Sequence, residues 1–199
     1  MDESDEELLE AWRAGDRKAG TVLFRRFFPQ CRRFFVNKVP ERDVEDLLQR
    51  TFTAMVEGRN RFRGDASFRT FVFAIARRTL LRYLRDLGRR GNREAPDLNV
   101  SSIAMLGATP GTVLALRQDQ EQVRRALQQI PVHHQTILEL SYWEGLDNAE
   151  LAAVFEIEPT TVRTRLFRAR KALAKALEGT ALVEDELVER VVRDLGASL

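Results

Sequence analysis

Apolar residues recur at helical spacing along almost the whole chain. Leu8, Leu9 and Trp12, then Val22, Leu23, Phe27 and Phe28, then Phe34 and Phe35 keep the i, i+3, i+4 intervals of an amphipathic helix pair, with a break at Gly15-Asp16. Val44, Leu47, Leu48, Thr51, Phe52 and Met55 form a second stripe. A third runs from Phe68 to Leu84, behind the polar loop Arg63-Gly64-Asp65-Ala66-Ser67. No stretch alternates apolar and polar residues as a strand would. After Arg93 the texture changes, with Asn92, Pro96, Asn99, Ser101, Ser102, Gly107, Pro110 and Gly111 scattered as in a linker. Periodicity resumes near Val113 and runs to Leu177, and Val183, Leu187, Val191 and Leu195 make a last short stripe. The pattern predicts an all-α protein without internal repeats. Two small helical domains, residues 1–93 and 119–178, are joined by a flexible linker, 94–118, and followed by a short helical extension, 179–199.

Linker length bounds what the two domains can do together. Roughly 25 residues span about 80 Å when extended, but a relaxed coil of that length averages about 25 to 30 Å. One turn of DNA is about 34 Å. Two domains so tethered can reach sites one to two turns apart, yet the linker by itself sets no fixed separation.

Composition excludes several classes. With 199 residues, 44% hydrophobic, 31% charged and a single cysteine, the chain is neither a low-complexity tail nor a disulfide scaffold. Its N-terminus, MDESDEELLE, is acidic where a secretory signal is basic and then apolar, and no run approaches 18 apolar residues. A soluble, cytoplasmic protein without membrane insertion is the expectation. The net charge of +2 averages segments of opposite sign. Arg59 to Arg93 holds eleven arginines against two acids, Asp65 and Asp86, and Pro159 to Lys175 holds six basic residues and no acid. Two separated basic faces point to phosphate along an extended polyanion; the plainer reading is solvated helix faces in an Arg-rich chain.

The second domain carries the sharper motif. A helix ends at Gly145, Asp147 to Phe155 makes a short second helix, and Pro159 opens a third, the spacing of a helix-turn-helix. In that third helix Val162, Leu166 and Ala169 fall on the inner face. Thr161, Arg163, Thr164, Phe167, Arg168 and Lys171 are left for duplex DNA, where Arg pairs with guanine and Thr or Phe packs on a thymine methyl. The alternative is a helical hairpin with a basic outer face. Glu158, where Ser or a similar cap is usual, weakens the start of this helix.

These residues resemble a known family. The segments Asp43-Val44-Glu45-Asp46-Leu47-Leu48-Gln49-Arg50-Thr51-Phe52 and Phe62 to Arg78, then Ile130-Pro131 and Thr161 to Arg170, are similar in order and spacing to bacterial sigma factors of the extracytoplasmic-function group. The likeness runs from about Glu6 to Leu177. It implies a promoter-specificity subunit whose first domain is sigma region 2 and whose second is region 4. By that resemblance, Asp43, Asp46, Gln49 and Phe52 dock on core RNA polymerase. Arg61, Arg63, Gly64, Asp65, Ser67, Arg69, Arg77, Arg78, Arg82 and Arg85 bind the −10 element as single-stranded DNA, and the helix-turn-helix reads a −35 duplex. Phe68, Phe71, Phe73 and Tyr83 divide between core and base contact, with core the larger share. Arg50, Phe71, Arg78 and Arg82 depart from residues common in the family, and Arg78 bears most on the −10 preference.

No enzyme is read from the chain. His133 and His134 are its only histidines; being adjacent, they are expected on different faces of a helix, and no acid or cysteine cluster completes a metal site. Neither GxxxxGK[ST] nor GxSxG occurs, so no cofactor is called for. The partners expected are core RNA polymerase, promoter DNA and an anti-sigma factor. The rival reading is a stand-alone helix-turn-helix regulator with a dimerising first domain. The extension is expected either to pack on the second domain or to act as a regulatory element over the recognition helix.

Overall fold

In the computed structural model the described residues are 3–64, 66–90, 97, 101–108, 118–178, 190 and 192–196. They form eight named helices and no strand; the one β-like pairing is an isolated bridge between Ser102 and Pro131. The first domain comprises α1 (Asp5–Arg13), α2 (Arg17–Val36), α3 (Glu41–Gly58) and α4 (Phe68–Arg90). Local chemistry starts these helices. Ser4 and Glu7 make a reciprocal capping box on α1, and the Asp16 carboxylate accepts from the Lys18 N–H to open α2. The stripes read from the sequence meet in one core of Leu23, Phe27, Phe34, Phe35, Leu47, Met55, Phe68, Phe73 and Leu80, all almost fully buried. Phe68 and Phe73 are thus core residues, whereas Phe71 and Tyr83 are half-buried.

The second domain comprises α5 (Gln118–Gln129), α6 (Val132–Tyr142), α7 (Asn148–Phe155) and α8 (Pro159–Ala176). Gly145, at φ +64, turns the chain after α6, and Asp147 with Glu150 forms a second capping box. Glu156 closes α7 in a left-handed conformation, φ 55, a position usually filled by glycine. As read from the sequence, α8 begins behind Glu158 without a side-chain cap, and Pro159 occupies its first turn. Val162, Leu166, Ala169 and Leu173 bury one face of α8 against α6 and α7.

Two sequence expectations change. The connecting segment is docked in its middle: Val132 N–H donates to Ser101 O at 3.0 Å, Ala104 N–H donates to Gln128 O at 3.0 Å, and Ile103 is fully buried. The domains, moreover, are not independent bodies on a tether. α4 packs along α7, and the end of α2 meets α6. Here the Lys38 ammonium and Glu139 carboxylate pair in full burial, and Asn37 and Gln135 each donate to the same carboxylate at 2.9 Å. Burial pulls the Lys38 pKa down, and Glu139 opposes that pull. Neither contact could be read from periodicity, which reports only that a residue faces some neighbour.

Candidate nucleic-acid and partner interfaces

Three surfaces gather the residues picked from the sequence. The first is a groove of about 750 Å³ between α2 and α3. Phe24, Phe28 and Val56 stand in it at about 40% exposure, an uncommon position for large apolar groups. The Phe24 and Phe28 rings close on Phe52 at 4.5 and 6.2 Å, so Phe52 forms the groove floor rather than a projecting contact. Gln49 and Glu45 line the same groove, and Arg32 pairs with Glu41 at 2.5 Å on its wall. Asp46 is exposed and paired with Arg50 at 2.8 Å. Asp43 instead turns inward, accepting from the Tyr83 hydroxyl at 2.8 Å and so tying α3 to α4. Sequence reading missed Phe24 and Val56. Their signal was present, since both are apolar residues lying off the buried stripes of their helices.

The second surface is the loop 59–67 with the outer face of α4. Arg13 holds the loop from beneath: its Nε donates to Arg59 O at 2.9 Å and its guanidinium also reaches Phe62 O. Gly64 turns at φ +81, and Arg61 and Arg63 are exposed. Between the loop and α4 lies a pocket of about 430 Å³ lined by Gly58, Arg61, Phe62, Arg63, Ala66 and Phe71, the Phe62 and Phe71 rings 4.9 Å apart. A second hollow, about 480 Å³, follows α4 past Arg50, Arg78, Arg82 and Arg85. Asp65 lies outside the described residues. Arg61, Arg63, Arg82 and Arg85 therefore stand together around the pocket and hollow. Arg78 lines the hollow and also faces α7, as do Ser67, Arg69 and Arg77. Ser67 Oγ and Arg69 Nη2 donate to Glu150 at 2.9 and 2.8 Å, Arg78 pairs with Glu156 at 3.2 Å, and the Arg77 guanidinium lies 4.6 Å over the Phe155 ring.

The third surface is α8. Thr161, Arg163, Thr164, Phe167, Arg168 and Lys171 are all exposed on one helix face, Phe167 at 65%. That is the face the sequence pattern leaves for duplex DNA. Two histidines lie behind it, and their rings are in contact, centroids 4.1 Å apart, rather than on separate faces. Burial, with the positive neighbours His133, Arg168 and Arg165, pushes the His134 pKa down to about 4. Among the described residues no group of three or more His, Cys, Asp or Glu is placed to hold a metal ion. The described part of the extension packs on the end of α6, where Trp143 Nε1 donates to Val192 O at 2.6 Å and Leu195 is buried. It leaves the outer face of α8 open; Val183, Leu187 and Val191 lie outside the described residues.

A helix-turn-helix domain, a basic arginine face with an aromatic pocket, and an apolar groove beside an acidic helix define a DNA-binding protein that works with a protein partner. Residues 120–173 match the family described as Sigma-70, region 4, and residues 23–90 match Sigma-70 region 2. The chain is 30% identical over 176 residues to the ECF RNA polymerase sigma-E factor of Escherichia coli K12, covering 85% of this chain and 92% of that one. It is likewise 30% identical over 187 residues to the RNA polymerase sigma-H factor of Pseudomonas aeruginosa, covering 88% and 95%. Among solved structures, CnrH in complex with the cytosolic domain of CnrY matches with a TM-score of 0.64 at 24% identity, over 90% of this chain and 100% of that one. The sigma factor RpoE of Bartonella quintana, in complex with the anti-sigma factor NepR, matches at 0.64 and 20%, over 82% and 99%. The chain belongs to the ECF sigma factor family, and it is a sigma subunit of RNA polymerase that directs initiation at promoters. The stand-alone regulator is not favoured. No helix among the described residues is long and apolar enough to cross a membrane.

Proposed function

We propose that the three surfaces divide the work of initiation. The groove of Phe24, Phe28 and Phe52, with Asp46 and Gln49 beside it, docks on core polymerase. Asp43 contributes from behind, by holding Tyr83. The pocket of Phe62 and Phe71 takes one extruded base of the −10 element, while Arg61, Arg63, Arg82 and Arg85 hold the phosphates of the melted strand. Extrusion costs a few kcal/mol, offset by stacking and phosphate contact. Ser67, Arg69, Arg77 and Arg78 extend that surface once α7 leaves it. α8 reads the −35 duplex through Arg163, Thr164, Phe167 and Arg168, with Thr161 and Lys171 toward the backbone. On this reading residues 1–93 act as region 2, 94–118 as linker, 119–178 as region 4 and 179–199 as an extension, in a cytoplasmic protein.

The observation that carries the proposal is the exposed aromatic groove beside Asp46 and Gln49, an apolar surface that a monomer has no reason to leave open. Run-off transcription with purified core polymerase on a promoter library tests it. Initiation is expected to require the protein and to be lost when Asp46 and Gln49 are both changed to Arg. Polymerase indifferent to the protein would sink the reading. Control by an anti-sigma factor is part of the proposal: RpoE of Bartonella quintana, of like fold, is captured with one. Co-purification of this chain with a partner that blocks run-off transcription checks that point.

A further inference from the structure

The loop that carries the Phe62 and Phe71 pocket leaves α3 at Gly58 and enters α4 at Phe68, and a third helix, α1, holds it at both ends. At the exit, Arg13 reaches across: its Nε and Nη2 donate to Arg59 O at 2.9 and 2.5 Å, and Nη2 also donates to Phe62 O. Among the described residues no backbone N–H reaches either carbonyl. Arg59 caps the C-terminus of α3, where carbonyls lack partners and a cation suits the helix dipole. The Arg13 guanidinium also lies 5.9 Å from the centre of the Phe62 ring, so Phe62 is held by its carbonyl and by its ring. The neighbouring Trp12 takes the Arg59 guanidinium at 5.0 Å. At the entry, Glu6 Oε1 accepts a long bond from the Phe68 N–H, 3.4 Å, and sets a negative charge at the positive end of α4. α1 is itself fixed, with Leu8 and Leu9 buried and Asp5 paired to Arg26 of α2.

We propose that Arg13 is a positioning residue for −10 recognition: by gripping Arg59 O and Phe62 O it keeps the Phe62 ring beside Phe71, so that the pocket is formed before a base arrives. The proposal rests on the reading of that pocket as the seat of one extruded base. Arg13 stands behind the loop, its side chain 22% exposed, and acts through Phe62.

A base gains from stacking only where the ring is already in place. Phe62 sits on a loop, and once released its ring has other positions open to it; affinity for the base then falls by the fraction of time the pocket is formed. Phosphate contacts respond differently. Arg61, Arg63, Arg82 and Arg85 attract the backbone by charge, which an ångström of loop movement hardly alters. Loss of Arg13 therefore removes the base-dependent part of single-strand binding and leaves the phosphate part. Lysine is an incomplete substitute, because one ammonium cannot reproduce the planar fork that spans two carbonyls.

The test uses the holoenzyme and a single strand carrying the −10 region of a promoter recovered by run-off transcription, intact or with an abasic site at each position in turn. Affinity is read by anisotropy. In the parent, an abasic site at one position is expected to weaken binding about tenfold, the scale of one base stacked on aromatic rings. In Arg13→Met the same lesion should cost less than about twofold, with affinity for the abasic strand unchanged. Arg13→Lys should keep part of the difference, and Glu6→Ala, at an exposed site, a larger part. Core-polymerase affinity should be equal in all of them. An undiminished difference in Arg13→Met overturns the role of Arg13 and leaves the pocket standing. Equal losses on intact and abasic strands also overturn it, since that is general damage to the domain. Should Arg13→Met fail to fold, Arg13→Lys decides, and a difference as large as the parent's overturns the proposal. A parent with no sensitive position overturns the pocket as a base site, and the proposal with it.

Discussion

Gly20 leaves no room for a side chain: a Cβ there would sit 2.5 Å from the Trp12 indole. The close approach of α1 to α2 depends on it, and Arg59 then stacks 5.0 Å over the same indole. Gly20→Ala is expected to cost about 1 to 3 kcal/mol through overpacking, read as a shift in the urea midpoint at unchanged slope. Cys31 is fully buried in the first domain, and burial pushes its thiol pKa far upward. Its reaction with a thiol reagent should be negligible in the native protein and complete in denaturant. His134 titrates at about 4 when folded, against an ordinary value of 6.5. Between those values the unfolded chain binds the extra proton, so this contribution to stability is whole above about pH 6.5 and is lost as the pH falls toward 4. His134→Gln should flatten that part of the stability profile, and an unchanged slope would mean the imidazole is not held neutral. None of these three environments is visible in the sequence, because each depends on what a second helix brings alongside.

Helices are where sequence reading did best. The breaks at Gly15-Asp16 and Gly145, the inner face of α8 and the weak start at Glu158 follow from spacing and capping chemistry, both short-range. For α8 the expected outcome is specific: Arg163→Ala and Arg168→Ala each weaken duplex −35 binding by about 1 to 3 kcal/mol where they read bases, measured by anisotropy of the holoenzyme on a promoter duplex. Leu166→Ala, on the inner face, should instead lower thermal stability by about 2 to 5 kcal/mol. On α2 and α3, Phe24→Ala with Val56→Ala is expected to lower core-polymerase affinity, with a smaller loss of stability than Leu166→Ala causes, since both side chains are about 40% exposed. Unaltered affinity would move the docking surface off this groove. Amphipathic periodicity could place Phe27 inside, but it could not say that Phe24 and Phe28 would be left uncovered by every other helix.

At the scale of the whole molecule, the decisive features join residues about a hundred positions apart. Lys38 meets Glu139, Arg33 meets Glu144, and Arg69 meets Glu150. Breaking the buried pair from one side, as in Glu139→Leu, leaves the Lys38 ammonium without its counter-charge. That should destabilise the folded protein more than Lys38→Met with Glu139→Leu together, a difference readable in the urea midpoint. The sequence alone determined the all-α class, the two domains, the helix-turn-helix and the family, because these are written in spacing, capping and motif order along a continuous stretch. The aromatic groove, the inward turn of Asp43 and the occupation of the basic face by α7 were decided only by tertiary structure. A charge or ring in the sequence carries no record of which distant partner will neutralise or cover it; that follows from how folded surfaces meet.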